Sequence, residues 1–330
     1  IGAYHLTLGR NKKSVELDLK SDQGLKLFKE LVSVADVVVD NFSQGVTKRL
    51  GIDHENLKDV NPKIITCSIS GFGDTEVNRP AYDNLIQGYA GAMSITGTDK
   101  ENPVKSGIPI ADLGAGLYAV IGILSAIQSR EKNDSGEHVD ISMLDTQVSL
   151  LTYMATMHFL SGENPEPIGN QHMNHVPFNS YRTSDGFIQI GVVAEDFWPS
   201  LIEALDLKQL DTEENKLRTG RLKNRENIDQ AVQEVFITNT TEHWLKILQE
   251  HRVPCGPINT LSETFQDADL LKRNMIIEVL QDSGASVKMP GNPVKISNHD
   301  EEFKRSPKLG EHTSEIFKNW LDKDISVDQD

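Results

Sequence analysis

Asp112 is the side chain whose type and position best suit covalent chemistry. It stands at the start of the most periodic helical pattern of the chain and is followed by Leu113 and the small residues at 114–116. A carboxylate there can cap free backbone N–H groups. A helix N-terminus also favours the ionised carboxylate that a nucleophile needs, and small residues allow a substrate to approach closely. The local sequence is compatible with both roles.

Polar and glycine-rich segments follow two apolar strand patterns. Asn41 and Phe42 follow the strand at 37–39, and the segment Ser70-Gly71-Phe72-Gly73 closes the strand at 64–70. Ligands usually bind beyond the carboxyl ends of parallel strands. The glycines therefore indicate either a plain tight turn or a loop that lines a ligand.

Metal and disulfide chemistry are not expected. His172 and His175 lie in a segment rich in proline and glycine, without nearby carboxylates or cysteines, so no metal site is predicted. Cys67 and Cys255 are not paired by a short spacing, and we expect two buried free thiols.

The elements that position these residues alternate along the chain. A capped helix from Ser21 leads into the strand at 37–39, and a helix with apolar residues from Leu117 to Ile127 leads into a strand at 138–143. Uniformly apolar strands between helices are typical of a parallel sheet covered on both faces. The pattern predicts a doubly wound α/β layer, with the 117–127 stripe in the core.

Composition changes mark four segments. We predict a large first domain at 1–160, a linker at 161–176, a small α+β domain at 177–262 and a C-terminal segment at 263–330. Because the chain opens with Ile1 inside a developed pattern, we also expect that a preceding segment is missing.

Charge and hydropathy exclude some classes of protein. The net charge is −16, which argues against nonspecific binding to nucleic acid or to an anionic membrane. No apolar run approaches the roughly 18 residues of a membrane-spanning helix, and no signal-like segment opens the chain. We expect a cytoplasmic protein with no membrane or nucleic-acid partner.

Several stretches together resemble the class III CoA-transferases, a family that includes formyl-CoA and carnitine-CoA transferases and related acyl-CoA racemases. They are NKKSVELDLK at 11–20, ADVVVDNFSQGVTKRLG at 35–51, CSISGFG at 67–73, AYDNLIQGYAGAMSITG at 81–97 and GIPIADLGAGLYAVIGILSAI at 107–127. The resemblance implies a Rossmann-like large domain, completed by the C-terminal segment, and a small domain between them. It also implies an interlocked homodimer of ring-like subunits.

The resemblance also implies the chemistry. Coenzyme A enters as an acyl-CoA co-substrate, and Asp112 carries first the acyl group, as an aspartyl anhydride, and then CoA, as an aspartyl-CoA thioester. The residues implied to contact CoA or its acyl group are Lys12, Lys13, Asn41, Phe42, Arg49, Leu50, Gly71, Phe72, Gly73 and Tyr82. For the lysines, the alternative is a solvated surface charge.

Three functions remain open at this stage. The first is transfer of CoA from an acyl-CoA to a small carboxylic acid. The second is racemisation or epimerisation of an acyl-CoA, which Tyr82 disfavours, because the racemases of the family have a histidine base at this place and a tyrosine is a poor base at neutral pH. Tyr82 could instead be a half-buried packing residue. The third is a catalytically silent CoA-binding subunit.

Overall fold

The computed structural model describes residues 2–77 and 79–323, which form two compact units. The first comprises the described residues of 1–92, 105–161 and 267–330, and the second those of 93–104 and 162–266. The segment at 162–176, predicted to be a linker, belongs to the second unit, as does the short insertion at 93–104. Residues 324–330 of the predicted C-terminal segment lie outside the described residues.

A parallel sheet forms the centre of the first unit. Its strands are β1 (Val37–Asp40), β2 (Ile65–Ser70) and β3 (His138–Ser142), in the order β1-β2-β3. Thr66 pairs with Val38 on one side and with His138 on the other, so all three strands run in the same direction. The predicted parallel α/β arrangement is therefore confirmed for these strands.

Before the C-terminal segment, the described residues of the first unit form eight α-helices. They are α1 (Ala3–Gly9), α2 (Asp22–Val32), α3 (Val46–Leu50), α4 (His54–Lys58), α5 (Asp83–Tyr89), α6 (Ile110–Asn133), α7 (Met143–Leu150) and α8 (Tyr153–Ser161).

The buried residues of helix α6 are all small, whereas most of its large apolar residues are exposed. Ala111, Gly114, Ala115, Ala119 and Ala126 are buried. A Cβ atom on Gly122 would lie 2.7 Å from Val139 Cγ1, so the helix lies directly against β3.

The prediction that the apolar stripe of α6 lies in the core was wrong. The side chains of Leu117, Ile121 and Leu124 are 67%, 58% and 59% exposed. The close approach that glycine and alanine allow turns the small face of the helix inward and the leucine face outward.

The same helix corrects a second expectation. An 18-residue window of α6 is long and apolar enough to cross a membrane by length and composition alone, although glycines and a serine interrupt its large apolar residues, and 28% of that window is buried. The glycines and the serine break the apolar run in the sequence, so the window is not visible as a continuous apolar segment. The core helix of a soluble protein passes the same test, so the observation by itself assigns no membrane.

The second unit packs helices on an antiparallel sheet. Strands β4 (Phe178–Arg182), β5 (Phe187–Gly191) and β6 (Cys255–Pro257) lie in that order. Its core contains Trp198, Val232 and Phe236. The helices are α9 (Phe197–Leu205), α10 (Arg218–Lys223), α11 (Arg225–Phe236), α12 (Thr241–Glu250) and α13 (Leu261–Thr264).

The C-terminal segment returns to the start of the first unit. It contains α14 (Ala268–Lys272), the antiparallel pair β7 (Ile276–Leu280) and β8 (Ser286–Pro290), and α15 (Thr313–Leu321). His312 N donates to Ser14 O at 2.9 Å, and Glu16 N donates to Thr313 Oγ1 at 3.0 Å. These bonds tie the segment that carries Lys12 and Lys13 to the end of the chain.

Candidate active site

Asp112 is the third residue of α6, and its carboxylate is unpaired. Pro109 is the N-cap of the helix, and no side chain of α6 itself caps it. The Asp112 side chain is exposed and has neither a hydrogen bond nor an ion pair to any described residue. The prediction that Asp112 could serve as the cap is wrong, because the Asp112 carboxylate accepts no backbone N–H group at the start of α6.

Asp83 caps α6 from another helix. Its Oδ1 accepts from the backbone N–H groups of Ala111 and Asp112, at 2.9 and 3.4 Å. Its Oδ2 accepts from Gln87 Nε2 at 2.6 Å, and Gln87 Oε1 accepts from Ser106 N at 2.8 Å. Gln87 is 1% exposed, so a buried amide holds the capping carboxylate in place.

The pKa of Asp112 depends on its surroundings. Partial burial and the neighbouring Asp83 carboxylate raise the pKa of Asp112 above its ordinary value. The positive end of the α6 dipole acts in the opposite direction. Once ionised, a carboxylate of raised pKa is a stronger base and nucleophile than an ordinary aspartate.

A cavity of about 880 Å³ opens beside Asp112. Its volume lies within the range of small-molecule sites. Eight of the predicted site residues line it: Lys12, Asn41, Phe42, Gly71, Phe72, Gly73, Tyr82 and Asp112. The structure therefore brings together residues that lie up to 100 positions apart in the sequence.

The glycines at the end of β2 are required by close packing. A Cβ atom on Gly71 would lie 2.2 Å from the Cβ of Ala81, and Gly73 has a φ of +72°. Gly73 N donates to Ser70 Oγ at 2.9 Å. The segment is a tight turn, as one interpretation predicted, and it also lines the cavity. Its contact with a ligand stays a prediction.

Asn41 and Tyr82 line the cavity from different elements. Asn41 Nδ2 donates to Ile69 O at 2.5 Å, which fixes the residue after β1 to the neighbouring strand. Tyr82 is the N-cap residue of α5, and its side chain is 68% exposed. The alternative that Tyr82 is a half-buried packing residue is therefore wrong.

Three predicted residues lie outside this cavity. Arg49 and Leu50 line a neighbouring cavity of about 360 Å³, and Phe42 borders both cavities. Lys13 lines neither of them and forms an exposed ion pair with Glu315. The predicted CoA contacts thus fall into two adjoining cavities, with Lys13 outside them.

Two residues of the site have no role in the sequence predictions. Asp83 follows Tyr82 directly, but its contact with α6 spans 28 residues and leaves no local signal. Arg79 lines the large cavity with its guanidinium carbon 4.6 Å from the ring centres of both Phe72 and Tyr89. An arginine before a proline carries no motif of its own, so the sequence alone did not single it out.

The described residues contain no group of three or more histidines, cysteines or acidic side chains that could hold a metal ion. The rings of His172 and His175 lie 4.6 Å apart, and His172 Nδ1 accepts from Asn174 N at 3.0 Å. Within residues 2–77 and 79–323, no third histidine, cysteine or carboxylate joins this pair to complete a metal site.

Comparisons with known proteins agree on one family. Residues 1–313 match CoA-transferase family III. The human succinyl-CoA:glutarate CoA-transferase is 31% identical over 322 residues, which cover 96% of this chain and 74% of the relative. The acetyl-CoA:oxalate CoA-transferase of Acetobacter aceti is 32% identical over 323 residues, which cover 96% and 82%.

A solved structure supports the same conclusion. The crystal structure of a CAIB/BAIF family protein from Brucella suis superposes with a TM-score of 0.85 at 34% identity, covering 97% of this chain and 84% of that one. The mixed α/β fold and the family resemblance predicted from the sequence are confirmed. The chain belongs to CoA-transferase family III.

Proposed function

We propose that the protein moves CoA from an acyl-CoA donor to a small carboxylic acid, with Asp112 as the covalent carrier. The observation that carries this proposal is the unpaired Asp112 carboxylate at the edge of a cavity of about 880 Å³, while Asp83 does the capping in its place. Hydrogen bonds from capped amides would stabilise the carboxylate and weaken it as a nucleophile towards a thioester. This one has no competing partner among the described residues.

The proposed reaction has four steps. Asp112 attacks the thioester carbonyl, which forms a mixed anhydride and releases CoA thiolate. The thiolate attacks the aspartyl carbonyl of the anhydride, releasing the donor acid and leaving an aspartyl-CoA thioester. The acceptor carboxylate then attacks this thioester, giving a second anhydride and thiolate. Attack of the thiolate on the acceptor carbonyl yields the new acyl-CoA and regenerates Asp112.

The two adjoining cavities support an extended ligand such as CoA. Phe42 borders both, Arg49 offers a guanidinium in the smaller one and Lys12 an ammonium in the larger one. We propose that the nucleotide lies near Arg49 and Leu50, and that the pantetheine arm passes Phe42 towards Asp112. Cationic side chains of this kind bind phosphate groups well.

We further propose short dicarboxylic acids as substrates. The two relatives described above are named for transfer to glutarate and to oxalate, both of which are dicarboxylates.

The exposed leucine face of α6 supports a homodimer, and we propose that a second copy covers it. Large exposed apolar faces usually mark an interaction surface. In this proposal the described sheet is the core of a Rossmann-like domain, and two ring-like subunits interlock.

The decisive experiment traps the intermediate. After incubation with a panel of short acyl-CoAs, hydroxylamine should convert an aspartyl thioester to a hydroxamate on the peptide that contains Asp112, with release of CoA. Asp112→Ala should lose both the modified peptide and CoA transfer. Asp59→Ala, which removes an exposed carboxylate that lines neither cavity, is the matched control and should keep both.

Two outcomes would contradict the proposal. Unchanged turnover in Asp112→Ala would remove the nucleophile. Exchange of the substrate α-hydrogen with deuterated water, without any acceptor acid and without CoA transfer, would indicate a racemase instead.

A further inference from the structure

Arg79 occupies an unusual position in the wall of the large cavity. Its guanidinium lies over the rings of Phe72 and Tyr89, with 4.6 Å from the guanidinium carbon to each ring centre. The two rings meet edge to face, with centres 5.8 Å apart. Phe72 packs in turn against the apolar cluster that contains Ala111 and Ala115, on either side of Asp112 along α6. The guanidinium is thus anchored to the packing that supports the nucleophile.

The charge of Arg79 is not neutralised within the described chain. No ion pair or hydrogen bond joins its guanidinium to another described residue. Arg79 and Lys12 are the two cationic side chains among the described residues that line this cavity, and Asp112 is the one carboxylate. Stacking on aromatic rings uses the face of the guanidinium and leaves the N–H groups at its edge available.

A guanidinium with free N–H groups is well suited to bind an oxyanion through two parallel hydrogen bonds. Holding it on two rings reduces the entropy that a flexible side chain would lose on binding. The aromatic support therefore acts as preorganisation for an anionic ligand.

We propose that Arg79 is a subsite for an oxyanion group of the substrate that is remote from the reacting carbonyl. This inference rests on the proposed function. Two groups share the chemistry: the second carboxylate of a dicarboxylic acid and a phosphate of CoA. Arg49 lies in the adjoining cavity, where the nucleotide is proposed to bind, so the carboxylate is the ligand that this geometry favours.

The test compares matched acids in the variant Arg79→Gln. With acetyl-CoA as donor, the acceptors are oxalate, succinate and glutarate and the monoamide of each, which keeps the length but loses the second charge. Arg79→Gln should raise KM for the accepted dicarboxylate about 10- to 100-fold and leave KM for its monoamide unchanged. Arg79→Lys keeps the charge but loses the planar guanidinium. Its KM for the dicarboxylate should lie between the values of the wild type and of Arg79→Gln.

A second set of measurements separates the two sources of the oxyanion. If a phosphate of CoA is the ligand, Arg79→Gln raises KM for acetyl-CoA but not for S-acetylpantetheine, and dicarboxylate and monoamide respond alike. Either selective pattern supports the subsite. Equal effects on all acids and on both thioesters, or no effect at all, would overturn it, because a merely structural role of Arg79 predicts no selectivity.

Arg182→Gln is the matched control. The Arg182 guanidinium also lies over a ring, 5.7 Å from the centre of Phe187, but Arg182 lines neither cavity, so its KM values should equal those of the wild type. Calorimetric titration of the wild type and Arg79→Gln with glutarate needs no turnover. It therefore distinguishes loss of the Arg79 subsite from failure of the proposed reaction, for which Asp112→Ala remains the reference.

Discussion

At the scale of single residues, two carboxylates lie at the start of α6: Asp83 caps the helix, and Asp112 does not. One carboxylate oxygen of Asp83 accepts hydrogen bonds from the backbone amides of Ala111 and Asp112, and the other accepts one from the side-chain amide of the buried Gln87. Asp112 is thereby left without a partner, and its pKa is raised by its partial burial and by Asp83. Removing the charge of Asp83 should therefore lower the pKa of Asp112 while the Asp112 side chain itself stays unchanged.

Asp83→Asn should move the acidic limb of the pH profile of kcat/KM to lower pH. The proposed reaction needs ionised Asp112, so in this proposal the rate falls as the pH drops through the pKa of that group. Loss of the neighbouring negative charge lowers this pKa, and the limb moves in the same direction. The new amide also opposes the amide of Gln87, which should cost about 1–3 kcal/mol of stability in denaturant unfolding.

Gln87→Leu provides the control, because it keeps the charge of Asp83 and removes only its tether. It should lower stability and leave the acidic limb near its original pH. A limb that stays in place in Asp83→Asn, or moves to higher pH, would show that the Asp83 charge does not act on Asp112.

At the scale of elements, the sequence predicted strands better than faces. The apolar runs at 37–39 and 64–70 are long enough only for strands, and both belong to the parallel sheet. Along α6, however, the leucines and the small residues both recur at helical spacing, so the pattern could not tell which stripe is buried. Tertiary packing at Gly114 and Gly122 decides it, and no local signal reports that packing.

The site was predictable to a similar degree. Strand ends, glycines and the resemblance rest on local signals, and eight of the eleven residues that they singled out line the large cavity. The cap on α6 comes from Asp83, 28 residues before Ala111, and the support of Arg79 comes from Phe72 and Tyr89 on two different segments. Such contacts depend on how elements meet in space.

Replacing Gly116 and Gly122 of α6 by alanine should change the stability of the protein in opposite directions. A Cβ atom on Gly122 would lie 2.7 Å from Val139, whereas one on Gly116 would have no neighbour within 4 Å and would face the cavity. Gly116→Ala should raise the stability by up to about 1 kcal/mol, because alanine favours a helix. It should also impair CoA transfer by narrowing the approach to Asp112.

Gly122→Ala should instead lower the stability and leave the turnover of the folded enzyme closer to that of the wild type. Denaturant unfolding and steady-state kinetics of both variants give the two comparisons. A stable and fully active Gly116→Ala would mean that no substrate atom passes close to this turn of the helix.

At the scale of the whole molecule, the exposed leucine face of α6 could be covered either by lipid or by a second copy of the protein. Leu117, Ile121 and Leu124 form an apolar stripe on a helix that also meets the length and hydropathy of a membrane span. The other side of the same helix packs on β3 and α7 through Gly122 and Gly114. A helix inserted in lipid would have to leave those contacts, so we expect a second protein copy to cover the stripe.

The double variant Leu117→Glu/Leu124→Glu should convert a dimer into single chains of 36.7 kDa. Burying one leucine contributes about 1.5–3 kcal/mol, and an unpaired glutamate in its place costs more, so the dissociation constant should rise more than about 100-fold. Light scattering after gel filtration in detergent-free buffer measures the mass. Leu309→Glu, at a side chain that is 79% exposed elsewhere in the first unit, is the control and should remain dimeric. A wild type that sediments with lipid vesicles, or a double variant that keeps the dimer mass, would show that this face is not the contact between two copies.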